Sequence, residues 1–166
     1  MRKTISELAG ILAVLLVFSC QSTGNTAGKQ TAASSPSVES KEAQILSDIY
    51  EQHESGIILT GAKSYTVVKG DTLTRIARQH YGTGDNPYYF PLIIAASKGS
   101  TEILNPDLIE VGMRLTIPSL QENLNNTEAR GNLKSLLKSV ADFYVDKTGI
   151  QSQEIYSGIT RLYNAL

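Results

Sequence analysis

The chain has 166 residues, 15 basic and 16 acidic side chains and a formal net charge of −1. With 19% of its residues charged and no basic excess, nothing advertises a nucleic-acid partner. The length suggests one globular unit with appendages, and a single cysteine excludes an internal disulfide framework.

The first 19 residues read as a secretory signal. Arg2 and Lys3 precede the apolar run Ile11-Leu12-Ala13-Val14-Leu15-Leu16-Val17-Phe18, which is too short to span a bilayer. An uncleaved anchor helix is the alternative. The run ends in Leu16-Val17-Phe18-Ser19-Cys20, which resembles the lipobox of bacterial lipoproteins. That resemblance implies acylation (palmitate or a similar chain) of Cys20 as the first mature residue, and a lipid anchor. Each buried acyl methylene contributes about 0.8 kcal/mol, so several chains hold a protein durably on a membrane. Gln21 rather than Asp after the cysteine points to the outer membrane, by analogy with enteric bacteria. Without the first 20 residues, 13 basic and 15 acidic side chains remain, and no electrostatic case for a charged polymer survives.

Residues 20–40 are mainly Ser, Thr, Gly and Ala, a composition that buries too little apolar surface to order, so a disordered tether is expected. Residues 41–63 form a flanking helix and linker. Leu46, Ile49, Tyr50 and His53 recur at helical spacing, Gly56 is a stop, and Ile57-Ile58-Leu59 is a short strand or extended strip. His53 on that stripe is expected to pack rather than to bind a ligand.

The centre, residues 64–118, alternates periods. Tyr65 and Val67 share one face of a short strand. Lys69-Gly70-Asp71-Thr72 makes a turn, with Asp71 as the N-cap of a helix whose stripe is Leu73, Ile76, Ala77 and Tyr81 and whose end is Gly82. A second helix lies near Pro91–Ala96, with proline in its first turn. Asn105-Pro106-Asp107 and Val111-Gly112-Met113 are turns before a second alternating strand, Arg114–Ile117, ended by Pro118. The order strand, helix, helix, strand predicts an α+β unit: a two-stranded antiparallel sheet with two helices on one face. Residues 119–166 predict a helical hairpin. One helix carries Leu133, Leu136, Leu137, Val140, Phe143 and Tyr144. The other carries Ile155, Ile159, Leu162, Tyr163 and Leu166, and Thr148-Gly149 joins them. These stripes serve either the protein's own core or a groove for a partner.

Three stretches closely resemble a lysin-motif (LysM) domain: Tyr65 to Leu73 with Ile76-Ala77 and Tyr81-Gly82, then Asn105 to Ile109, then Gly112 to Pro118. The resemblance covers about a third of the chain. It implies a β-α-α-β fold and affinity for glycans containing N-acetylglucosamine, here peptidoglycan. It also implies that the sugar chain lies between two loops, placed in this sequence at Gly70, Asp71, Thr72 and Leu73 and at Asn105, Pro106, Asp107, Leu108 and Ile109. A neutral glycan offers hydroxyls, acetamido groups and apolar ring faces, which exposed backbone, a threonine hydroxyl and an aliphatic side chain meet without net charge. Asp71 and Thr72 are expected to cap the helix in any case, Ile109 to fill the core, and Tyr88 and Tyr89 to pack under the second helix. Where many family members have asparagine at the end of that helix, this chain offers Ser97, and the loop after it is lengthened.

No catalytic reading gathers support. A wall peptidase needs a free Cys with a His, or a metal held by several His and acidic residues. Here the one Cys is expected to be acylated, and His53 and His80 stand apart from any ligand motif. A glycosidase needs two carboxylates across a cleft, and the 48 residues after Pro118 are too few to build one. The expected function is therefore non-catalytic peptidoglycan binding by a membrane-anchored envelope lipoprotein with no metal or cofactor. A structural adaptor that binds another envelope protein through its helical flanks is the alternative.

Overall fold

The computed structural model describes residues 38–99 and 108–166. The expected signal peptide and Cys20 lie outside the described residues, as do Asn105, Pro106 and Asp107.

The protein is α+β. Helix α1 (Val38–Glu54) starts three residues earlier than the sequence pattern suggested. Strand β1 (Lys63–Thr66), helix α2 (Leu73–Tyr81), a 3₁₀ turn (Asn86–Tyr89), helix α3 (Phe90–Ser97) and strand β2 (Arg114–Ile117) follow. Helices α4 (Leu120–Asn125), α5 (Thr127–Tyr144) and α6 (Ile150–Ala165) complete the chain. The two strands pair antiparallel, with Lys63 opposite Ile117 and Tyr65 opposite Leu115. Period 2 then sorts the faces: Leu115 and Ile117 are buried while Arg114 points to solvent.

A two-stranded sheet is marginal in water unless something covers it, and here α3 does so. Its residues Phe90, Leu92, Ile93, Ile94 and Ala95 are all fully buried, which requires neighbours on every side. β2 and α2 supply one side, and α1 and α5 the other. Fully burying each large aliphatic contributes about 1.5–3 kcal/mol, so the flanking helices and the strand–helix module share one core. The hairpin stripes are part of it: Leu133, Leu136, Leu137, Val140, Ile155, Ile159 and Leu162 are buried in the same cluster.

Several polar side chains lock the flanks. His53 packs as expected, with Nδ1 2.8 Å from the Ile49 carbonyl oxygen and Nε2 3.3 Å from Ser135 Oγ. Asn132 Nδ2 donates to the His53 carbonyl at the end of α1. Ile57-Ile58-Leu59 forms no strand. Instead the buried Asn123 amide pairs with the Ile58 backbone on both sides, accepting from its N–H and donating to its carbonyl at 3.0 Å each. Helix α4, which carries Asn123, was not expected. Ser119 caps it by accepting from the Glu122 amide, and Ser119 with Glu122 three residues on is a sequence signature of a helix start.

Candidate functional site

The two strands continue as paired backbone past their ends. Val67 N–H donates to the Met113 carbonyl, and Gly112 N–H donates to the Val67 carbonyl, each at 2.9 Å. This ladder carries the loop after β1, with Gly70, Asp71 and Thr72, and the segment before β2 toward the same end of the sheet.

The loop is held from within. Asp71 Oδ2 accepts from Tyr65 Oη at 2.8 Å and from the Val68 amide at 2.9 Å. Asp71 is therefore not the helix cap. Thr72 is, with its Oγ1 accepting from the Arg75 amide at 3.2 Å. Both residues have cap chemistry, and the Tyr65 hydroxyl, within reach only across the folded turn, decides between them. The bond to Asp71, then burial and the carboxylate's charge, push the Tyr65 phenol up from its usual range, with Arg75 opposing. Gly70 sits at φ +89°, where a side chain is strained, yet nothing lies within 4 Å of the place a Cβ would take. Its backbone is thus open to close approach. Arg75 Nη1 donates to the Gly70 carbonyl at 3.3 Å.

Leu73, by contrast, is only 1% exposed. Its side chain belongs to the core cluster, as the first apolar position of the α2 stripe. Ile109 is half-buried against the core, while Leu108 stands 58% exposed. Two aliphatics beside these loops went unnoticed in the sequence: Val68 and Val111, 54% and 68% exposed. Alternation gave the signal for Val68, since Val67 is buried and its neighbour must point outward. The end of the sheet thus offers aliphatic surface, an open glycine backbone and threonine hydroxyls, with Lys69 and Glu110 exposed beside them.

Ser97 is structural. Fully buried, it donates to the Ile93 carbonyl at 2.7 Å and accepts from the Thr116 amide at 2.9 Å, tying α3 to β2. Tyr89 is buried in the 3₁₀ turn. Tyr88 packs not under α3 but against α6, where its hydroxyl donates to Glu154 at 2.9 Å.

Two clefts border the module. One of about 450 Å³ lies near Lys63, His80, Tyr81 and Leu124. There burial pushes the Tyr81 phenol far above its usual value. Burial, then the Lys63 charge, pulls the His80 imidazole below its own. The other, of about 430 Å³, lies between α2 and the start of α6. Among the described residues no group of three or more His, Cys, Asp or Glu side chains could hold a metal ion. No described helix is long and apolar enough to cross a membrane.

The strand–helix–helix–strand order defines a small α+β module. Residues 65–118 match the LysM domain model, and the chain carries a LysM domain there. An esterase of Mycobacterium tuberculosis is 36% identical over 90 residues, 54% of this chain and 17% of that protein. A secreted LysM effector of Passalora fulva is 46% identical over 55 residues, 33% of this chain and 20% of the effector. The chain thus spans about a fifth or less of the length of these curated relatives. No solved structure matches the chain significantly.

Proposed function

We propose that this protein binds the glycan strands of peptidoglycan without catalysis, while held on the periplasmic side of a bacterial membrane, the outer membrane for preference, by an acylated Cys20. The observation that carries the reading is the LysM domain, with Gly70, Thr72 and Leu108 exposed near the same end of its sheet. The lipobox-like Leu16–Cys20 favours a bacterial wall over other sources of N-acetylglucosamine. A binding role rather than a chemical one fits the two histidines: His53 is bonded to Ile49 and Ser135, and His80 lies edge-on to Tyr65 with ring centroids 5.5 Å apart. A lipid anchor and a weak wall-binding module act bivalently, because the tether raises the module's effective concentration at the wall.

The test is depletion of the full chain, purified in mild detergent, by washed insoluble peptidoglycan, with chitin in parallel. Leu108→Asp is the informative variant, since an exposed side chain can be charged without disturbing the core. Retention of the parent and about tenfold weaker retention of the variant support the groove. A folded parent left in solution by both polymers refutes glycan binding. For the anchor, incorporation of an alkyne-tagged palmitate is expected in the parent and lost in Cys20→Ser; equal labelling of the two refutes it.

A further inference from the structure

The cleft between α2 and α6 begins two residues beyond Thr72, the last residue of the proposed loop. The hydroxyls of Thr72 and Thr74 are 3.1 Å apart, and Thr74 lines the cleft. Arg78, one turn further along the same face of α2, lines it next. From Thr72 to Arg78 the helix rises about 9 Å, a stretch of the order of a disaccharide. The opposite wall comes from the hairpin: Ile150, Gln151 and Glu154.

Those walls are fixed to each other before any ligand arrives. Arg161 on α6 grips Asp85 with contacts of 2.8, 3.1 and 3.1 Å, and Tyr88 donates to Glu154. The Tyr88 ring lies so close to Gly158 that no Cβ fits between them. At about 430 Å³ the cleft is within the range of small-molecule sites.

Its lining is chemically mixed. Thr74, Arg78, Gln151 and Glu154 bring a hydroxyl, a guanidinium, an amide and a carboxylate, and the charges of Arg78 and Glu154 offset. The Arg78 guanidinium has no hydrogen bond or ion pair with any of the described residues. Ile150 stands 90% exposed at the rim, an aliphatic side chain with no packing role. Polar edges around an apolar patch, with no net charge, are what a neutral sugar ring requires.

We propose that a glycan held at Gly70–Thr72 continues along α2 and seats a further sugar unit in this cleft. The C-terminal hairpin is then part of the binding site and sets the length of glycan the protein reads. The inference rests on the glycan-binding reading above. It is tested by calorimetric titration of the full chain, in mild detergent, with N-acetylglucosamine oligomers of increasing length, using Arg78→Ala and Ile150→Ala, two exposed positions. Affinity of the parent is expected to rise as added units reach the cleft. The variants should bind long oligomers about tenfold more weakly, the effect of one lost charged hydrogen bond or apolar contact, and short oligomers as the parent does. Affinity that does not grow with length, or variants that match the parent at every length, overturns the inference and leaves glycan binding standing. No binding of any oligomer or of peptidoglycan by the folded parent overturns both.

Discussion

Gly158→Ala puts the packing of α6 against the module to a sharp test. Gly158 lies in the interior of α6, where replacing glycine by alanine ordinarily stabilises a helix by about 1 kcal/mol. Here the added methyl falls well inside 3.0 Å of Cγ, Cδ2 and Cε2 of Tyr88. The ring cannot swing aside freely, because its hydroxyl is bonded to Glu154 one turn back on the same helix and its neighbours Pro87 and Tyr89 are buried. Overpacking of this kind costs about 1–3 kcal/mol, and losing the Tyr88–Glu154 bond adds about 0.5–1 kcal/mol. The net expectation is destabilisation by about 0.5–3 kcal/mol, read as a lower urea midpoint by circular dichroism with an unchanged slope. Two controls separate clash from propensity. Gly131 in α5 is exposed, with nothing within 4 Å of the place a methyl would take, so Gly131→Ala should stabilise by about 1 kcal/mol. In a Tyr88→Ala background, Gly158→Ala should reverse sign and stabilise as well, giving a coupling of about 2 kcal/mol or more. A Gly158→Ala protein more stable than the parent would refute the close packing of the Tyr88 ring on α6.

Ser97→Ala removes the hydroxyl that joins Ile93 and Thr116 and leaves the Thr116 amide without its 2.9 Å acceptor. A loss of about 1–3 kcal/mol and faster hydrogen exchange at Thr116 are expected; unchanged exchange there counts against the link between α3 and β2. Asp71→Ala should lower the titration midpoint of Tyr65, followed by ring NMR, toward its usual value near 10. Because the folded-state value is raised, the stability tied to that phenol is present below about pH 10 and fades as pH rises through the folded-state value, so parent and variant should converge in strong alkali. The His80 value is lowered, so its contribution is present above about pH 6.5 and is lost as pH falls through the folded-state value. Urea midpoints should decline on acidification from neutrality, and His80→Gln should flatten that decline; identical slopes for the two proteins would remove His80 as its source.

Much of the module was legible in the chain. Alternation at Tyr65-Val67 and Leu115-Ile117 and the stripe Leu73-Ile76-Ala77 are periods that one element sets by itself, and Gly82 ends α2 at the residue the pattern named. Local chemistry also announced α4 through Ser119 and Glu122, a signal that the stronger pattern after Asn126 overshadowed. Where two neighbours had the same chemistry, local rules could not choose: Asp71 and Thr72 both suit a cap, and Tyr65 settled the matter from across the turn. The site divided in the same way. Gly70, Thr72 and Leu108 lie on the surface as their loops suggested, whereas Leu73 is buried in the common core.

The sequence by itself determined the two strands, the helices between them and the C-terminal hairpin, since spacing rules act over three or four residues and need no distant partner; the LysM domain was legible as a resemblance. Only the tertiary structure decided that Asn123 would serve Ile58, that Arg161 would hold Asp85, and that a cleft would open between α2 and α6. Those contacts join residues 65 and 76 positions apart. Their geometry exists only once the buried faces of α3, α5 and α6 have packed into a common core.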